Sequence, residues 1–274
     1  MTTATTLVSL AQAEDAQAFG GKAAQLAVAI RAGLPVPDGL AAAWPFVDAV
    51  AAAEREATAV LRAASASADR VAVRSSGVGE DSAAASFAGQ HLSRLNVPAS
   101  EVPDVVGAVW SSASGEAALG YRRRMGLAGT PRIAVVIQQM LDADVAGVLF
   151  HPHPVTGADE YVVEAAWGLG EAVVGGLVTP DLFRLDRQGQ VLERRTGLKD
   201  LAVVARTEGG TEERPVEADR ARAVCLHDGQ LAEVFLLAKA CKRVFGGSQD
   251  LEWAFAQGRL WLLQRRAVTG APPA

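Results

Sequence analysis

The chain is poor in sulfur and in aromatic rings, and it has no basic excess. It holds only two cysteines in 274 residues, Cys225 and Cys241, and they form no CxxC pair. That argues for a reducing cytosol. The opening seventeen residues, MTTATTLVSLAQAEDAQ, contain no basic region followed by an apolar run, so no export signal is expected. Every apolar stretch is broken by glycine, proline or charge well before the roughly 18 residues a membrane span needs, and no membrane partner is expected. Lysine and arginine total 26 against 31 acids, a net charge of -5 that offers nothing to a nucleic-acid backbone. Half of the residues are apolar, enough to bury a core in one large domain or two smaller lobes.

Elements can be placed on this background. In GGKAAQLAVAIRAGLPVP, residues Ala23, Leu26, Ala27 and Ile30 recur at helical spacing; Gly33 stands where a helix ends, and Pro35 and Pro37 forbid continuation. A second Ala-rich helix is expected from Val47 to Ala64, a strand from Val71 to Arg74, and a helix from Val102 to Met125, open to interruption at Gly115 and ending in the basic turn Arg122 to Arg124. RIAVVIQQML and VAGVLF read as strands, and EYVVEAAWGLGEAVVGG as strand, glycine loop and short helix. A polar stretch of turns and short strands precedes an amphipathic helix from Ala218 to Phe245, and the chain closes in a hairpin.

That hairpin, DLEWAFAQGRLWLLQRRAV, carries the most chemistry. Strand alternation puts Leu251, Trp253 and Phe255 on one face and Asp250 and Glu252 on the other. On the return strand Trp261 and Leu263 oppose Gln264 and Arg266. A three-residue loop around Gln257 and Gly258 would gather Asp250, Glu252, Gln264 and Arg266 on one side, whereas a two-residue loop would mix acids with tryptophan; the sorting of apolar residues favours the odd loop. Two carboxylates, an amide oxygen and a guanidinium suit Mg²⁺ carrying a polyphosphate, since Mg²⁺ takes one or two protein oxygens plus phosphate oxygens and arginine offers a fork. The alternative is a solvated strand face whose ion pairs contribute little.

A second cluster, VAVRSSGVGEDSAAASFAGQ, places Arg74, two serines and glycines directly behind a strand. With GGKAAQLA, LNV, VVIQQML, AGVLF, PVTG, EAAWGLGEAVVGG, TPD and DLEWAF…LWLLQRR it forms an ordered series. From about Gly20 to Thr269 this series resembles the ATP-binding domain of the phosphoenolpyruvate synthase, pyruvate phosphate dikinase and rifampicin phosphotransferase family. The resemblance implies an α+β, ATP-grasp fold in which two α+β lobes clamp ATP and Mg²⁺. They are an N-terminal lobe over residues 1–140, with a glycine-rich phosphate lid, and a C-terminal lobe over residues 141–274, with the hairpin. It also implies that the β-phosphoryl group of ATP passes to a histidine on a separate swivelling domain, with AMP and inorganic phosphate released.

Carried over residue by residue, the resemblance makes Lys22 and Arg74 phosphate contacts. Gly89 and Ser93 fall in the phosphate-covering loop, and Gln138 lies at a hinge near the adenine. Glu252 and Gln264 become Mg²⁺ ligands, with Asp250 a third, and Arg266 acts at the transferring phosphate. The Val71–Gln90 cluster then reads as a lid in which Gly77, Gly79 and Gly89 allow backbone N–H groups to approach oxygens. Because the charge of a transferring phosphoryl group is spread over its oxygens, cationic donors such as Lys22, Arg74 and Arg266 carry most of the catalysis.

Departures and rivals remain. The family's usual FTADPVTG is FHPHPVTG, which puts His151 and His153 in a proline-flanked loop; no third ligand is near, and neither reads as a metal ligand or phosphoacceptor. No GxxxxGK[ST] surrounds Lys22, so a P-loop fails, and WGLGE is too short for a dinucleotide fingerprint. Glu164 reads as a structural residue of the second lobe, Glu171 is left open, and Arg122 to Arg124 read as a solvated helix end. The chain has no counterpart of the family's swivelling or acceptor-substrate domains. Its ends, Met-Thr-Thr and Thr-Gly-Ala-Pro-Pro-Ala, leave both a short complete protein and an excised domain open. Three functions are consistent with this. One is a cytoplasmic phosphotransferase serving a separate phosphohistidine-domain protein, and another a stand-alone kinase for a small-molecule acceptor. The third is an ATP-binding regulatory module without turnover, which the retention of transition-state groups disfavours.

Overall fold

The protein's structure is a computed structural model, which describes residues 6–79, 92–113, 115 and 131–267. Its elements run in the order β1 (Leu7–Ser9), α1 (Ala16–Arg31), β2 (Gly39–Ala42), α2 (Trp44–Ala51), α3 (Arg55–Ser65), β3 (Arg70–Gly77), β4 (Ser93–Pro98), α4 (Val102–Ser112) and β5 (Ile133–Gln139). There follow β6 (Val145–His151), β7 (Tyr161–Trp167), α5 (Glu171–Val174), β8 (Asp181–Leu185), β9 (Val191–Arg195), β10 (Leu201–Ala205), β11 (Thr211–Pro215), α6 (Ala218–Arg222), α7 (Asp228–Phe245), β12 (Gln249–Ala256) and β13 (Arg259–Arg266). The chain forms two compact units. Unit 1 comprises residues 1–31, 37–140 and 207–210; unit 2 comprises 32–36, 141–206 and 211–274.

Unit 1 is built on a five-stranded antiparallel sheet in the order β1-β2-β5-β3-β4. Alternation along β3 sends Val71 and Val73 to one face, where they join Ile133, Val135 and Ile137 of β5 and the buried faces of α2, α3 and α4: Phe46, Val47, Leu61, Val102 and Val106. The opposite face, with Ala72, Arg74 and Ser76, lies under α1, which packs on β3 and β5. One expected helix is split in two. The Val47–Ala64 helix is α2 and α3, separated at Ala53, whose φ of 57° no α-helix accommodates. The helix from Val102 is described to Ser112, and Arg122 to Arg124 lie outside the described residues.

Unit 2 carries a six-stranded antiparallel sheet, β13-β12-β6-β7-β8-β9, and the separate ribbon β10-β11. One face of the large sheet is dry. Leu149, Tyr161, Val163, Phe183, Leu251, Trp253 and Phe255 are buried there, and α7 covers it, with the Phe235 ring edge-on to Tyr161 at 5.0 Å. The expected Ala218–Phe245 helix is two helices: the chain turns extended at Ala223, and His227 caps the second, its imidazole accepting from Gln230 N (3.1 Å) while Gln230 Oε1 accepts from His227 N (3.2 Å), a reciprocal cap that starts α7. Among the described residues no helix is long and apolar enough to cross a membrane.

Buried polar chemistry fixes the edge of this sheet. Asp181 and Lys199 are almost wholly inaccessible, with Lys199 Nζ 2.6 Å from Asp181 Oδ1. Asp181 also accepts from the backbone N–H of Gly197 (2.8 Å) and of Cys225 (2.7 Å), and Lys199 Nζ donates to Gly197 O (3.2 Å). One carboxylate thus ties the start of β8, the strand-connecting turn at Gly197 and the segment before α7. Burial, then the Asp181 carboxylate, pushes the Cys225 thiol far above its usual range, so it stays a thiol.

Candidate functional site

The hairpin β12–β13 is built differently from the sequence expectation, yet it delivers the expected face. Ala256 pairs with Arg259, so the loop is the two-residue Gln257-Gly258, with φ of 53° and 73°. Two left-handed residues are what a type I′ turn requires, and such a turn matches the twist of the flanking strands. The odd three-residue loop is therefore not formed. Near the tip Ala254 pairs with Trp261, which puts this tryptophan on the carboxylate side, half-exposed and under Arg259, whose guanidinium carbon is 3.9 Å from the ring centroid. The aromatics are not all segregated to the dry face.

The register then slips by one. Trp253 pairs with Leu262 but Glu252 pairs with Gln264, leaving Leu263 as the extra residue of a β-bulge. Beyond the bulge Asp250 pairs with Arg266, so Asp250, Glu252, Gln264 and Arg266 share one face, and Arg265 turns to the dry side, over the Phe245 ring at 4.6 Å. Arg265 Nε donates to Gln249 Oε1 (3.1 Å) and Nη2 to Ser248 O (3.0 Å), which satisfies a guanidinium placed in a core position. Without the bulge, Gln264 and Arg266 would occupy that dry face.

Three of the four side chains are electrostatically linked. Arg266 Nη2 lies 3.2 Å from Asp250 Oδ2 and 3.7 Å from Glu252 Oε1. Burial pushes the Asp250 carboxyl above the ordinary carboxylate range; Arg266 opposes this and the neighbouring Glu252 adds to it. Arg266 Nε is buried with no hydrogen-bond partner among the described residues, and Gln264 is buried beside it. Two carboxylates and an amide in adjacent register positions form the oxygen set a small hard cation takes, and the guanidinium stands ready for an anion.

In unit 1 the register puts Arg74, Ser93 and Gln138 on the α1 side of the sheet. α1 is kinked at Gly20 (φ 74°), where an added Cβ would stand 2.2 Å from Ser76 O. The helix restarts there, and its early N–H at Ala23 donates to Ser76 Oγ (3.1 Å), so the second serine of the RSS string fills an orphan donor of the turn that carries Lys22. Sequence reasoning missed this role; the juxtaposition of a double glycine and a double serine was its only trace. Arg74, buried on β3, pairs directly across the ladder with Ser93 of β4. Gln138 pairs with Ala72 and with Gly39, and its Nε2 donates to Pro37 O (3.0 Å), which makes it an anchor for the strand entering β2. Gly77 and Gly79 are described, the latter with φ of 80°, while Gly89 lies outside the described residues.

His151 belongs to the core. It is stacked on Tyr161 at 4.1 Å, and its Nε2 is 2.8 Å from Asp159 Oδ1. Burial holds its pKa below 6.5 despite that carboxylate. His153 Nδ1 accepts from Val155 N (3.2 Å), a local turn contact. Among the described residues no three His, Cys, Asp or Glu side chains stand close enough to hold a metal ion together.

Each unit is an antiparallel α+β body, and the second carries the carboxylate–amide–guanidinium hairpin. The chain belongs to the family described as the pyruvate phosphate dikinase AMP/ATP-binding domain, which matches residues 42–273. Lys22 precedes that span. The chain is 40% identical over 202 residues to a probable phosphoenolpyruvate synthase of Methanothermobacter thermautotrophicus, covering 73% of this chain and 29% of that protein. It is 39% identical over 229 residues to the rifampicin phosphotransferase of Streptomyces sviceus (81% and 26%). It is also 40% identical over 202 residues to the prodigiosin synthesizing transferase PigC of Serratia marcescens (73% and 22%). The chain thus spans between a fifth and a third of the length of these relatives. Among solved structures, the VanG D-Ala:D-Ser ligase of Enterococcus faecalis matches 96% of this chain and 56% of that one, with a TM-score of 0.41 at 13% identity. At that score it is a likeness of outline.

Proposed function

We propose that the chain is an ATP-grasp nucleotide domain of a dikinase-type phosphotransferase. It binds ATP with Mg²⁺ and passes a phosphoryl group, the β-phosphoryl, to a histidine on a separate swivelling-domain partner. In overall balance ATP, the imidazole and water give phosphoimidazole, AMP and inorganic phosphate. The reading is supported above all by the one-sided grouping of Asp250, Glu252, Gln264 and Arg266, in which a buried guanidinium nitrogen lacks a partner among the described residues. The grouped oxygens and the orphan nitrogen fit a site completed by a cation and an anion. Family membership and relatives named as phosphoenolpyruvate synthase and rifampicin phosphotransferase agree with it.

Glu252 and Gln264, with Asp250, would hold Mg²⁺, which when bound supplies charge neutralisation for the polyphosphate. Arg266 forks onto the transferring phosphoryl group, where its charge offsets charge spread over the oxygens. Lys22 and Arg74 donate to phosphate oxygens; Ser93, across the ladder from Arg74, adds a hydroxyl, and Gly89 a backbone N–H. Gln138 lies toward the base. The helix start at Gly21-Lys22 gives a further partial positive charge.

Following phosphorus species by ³¹P NMR tests the reading, with the protein incubated with ATP and Mg²⁺ alone and then with a phosphohistidine-domain protein. AMP and phosphate appearing only with the partner, together with a phosphoimidazole signal, is the expected result. ADP with a phosphorylated small molecule would replace it with a stand-alone kinase, and nucleotide binding without turnover would replace it with a regulatory module.

A further inference from the structure

The register of the large sheet places one more carboxylate on the face that carries the hairpin ligands. Glu252 pairs with Gln264 on one side and with Val148 of β6 on the other, and Val148 pairs in turn with Glu164 of β7. Directly opposed residues of an antiparallel sheet project to the same side, so Gln264, Glu252, Val148 and Glu164 form a single cross-strand row. The next row is Arg266, Asp250, Phe150, Val162 and Arg184. At the other end of the face, the turn at Gly170 lies against the Ala146 side chain.

Glu164 is out of place for a structural residue. Its direct neighbours in the row, Val148 and Leu182, are both apolar. The basic side chain nearest in register, Arg184, is bound by Glu160 at 3.0 Å and Glu193 at 2.8 Å. No hydrogen bond or ion pair from a described residue reaches Glu164, although it is half-buried. A carboxylate that stabilised the fold would have a donor, and this one instead faces the surface on which the proposed nucleotide site lies.

From this we infer that Glu164 is a positioning residue for the cation of that site, acting through a metal-bound water. The inference rests on the Mg²⁺-ATP reading above. Two strand spacings put the Cα atoms of Glu164 and Glu252 about 9.6 Å apart, with a small valine between. A cation about 2.1 Å from the Glu252 oxygen and a water at the same distance beyond it, hydrogen-bonded at about 2.7 Å, spans about 7 Å between the two carboxylates. Side chains leaning over Val148 can supply the difference. Direct ligation by all three acids is not available, since no such trio is close enough, and a bare carboxylate against phosphate oxygens would repel them. Water on a magnesium ion, which keeps several of its waters, is the donor that fits.

Mn²⁺ binding read by electron paramagnetic resonance, with ATP present, tests this independently of turnover. Wild type, Glu164→Gln, Glu164→Ala and Glu252→Gln are compared, with thermal melts to confirm folding. The expected result is a loss of Mn²⁺ affinity of about tenfold in both Glu164 variants, smaller than in Glu252→Gln, with a changed water-exchange signature of the bound ion. Unchanged affinity in both folded Glu164 variants, alongside loss in Glu252→Gln, would overturn the inference and leave the site reading intact. No loss in Glu252→Gln would overturn both.

Discussion

Replacing Lys199 with methionine removes one partner of a fully buried ion pair and leaves the other in place. The cost can be worked from what Asp181 keeps. Its two oxygens retain the N–H groups of Gly197 and Cys225 at 2.8 and 2.7 Å, so the stranded carboxylate is only partly unsatisfied. Breaking a buried pair costs about 3–5 kcal/mol, and the lower end applies here. Asp181→Leu is the worse change: it strands the ammonium with one carbonyl at 3.2 Å and orphans both N–H groups, for about 5 kcal/mol. The double variant no longer buries a lone charge and should recover at least about 2 kcal/mol of the summed loss. Urea unfolding by far-ultraviolet circular dichroism, with tryptophan fluorescence as a second probe for the two units, measures all three. Thermal melts should fall by about 6–12 °C for Lys199→Met. A loss below about 1 kcal/mol for Lys199→Met, or strictly additive losses, would refute the account of the pair as a charge-balanced clamp.

Three more outcomes are expected. Arg266→Ala lowers phosphoryl transfer about a hundredfold or more while ATP affinity by calorimetry changes only a few-fold; equal loss of both would count against its place at the moving phosphate. Gly20→Ala forces a Cβ to 2.2 Å from Ser76 O at a φ of 74°, so it should destabilise unit 1 by more than about 2 kcal/mol in chemical denaturation, whereas Gly246→Ala, with open space, carries only the strain of its φ. For His151, a folded pKa held below 6.5 means the unfolded chain binds more protons in the window beneath that value. Stability therefore rises with pH through the window and is lost as pH falls below about 6.5, and His151→Gln should flatten that part of a stability–pH curve.

Much of this architecture is legible in the residues. Period-two alternation marks the terminal hairpin, a near-continuous apolar run marks β5, β-branched residues mark β3, and Gly33 with its following prolines marks the end of α1, where φ is 77°. The failures have local causes. Ala53 and Ala223 break helical patterns that apolar spacing alone carries straight through, because a left-handed residue, an extended one and the imidazole cap at His227 leave no mark on periodicity. The hairpin loop is a subtler case: hydrophobic sorting identifies which side chains share a face but not the device that puts them there, since a longer loop and a bulge have the same effect on alternation. That Glu164 shares a cross-strand row with Glu252 is not legible either, because nothing in the one-dimensional pattern shows that β6 and β7 lie next to β12. Asp181 and Lys199, eighteen positions apart, become partners only through the sheet edge.

The single extra residue at Leu263 resets the strand's alternation midway along β13. Everything toward the tip answers to the demands of a tight, twisted turn and a dry underside; everything beyond is turned so that Gln264 and Arg266 face Glu252 and Asp250. Because the phase is restored at one point, the two halves of the strand are free to drift separately: the tip can be rebuilt for packing without rotating Gln264 or Arg266 out of place, and the polar end can change without disturbing the fold that holds it.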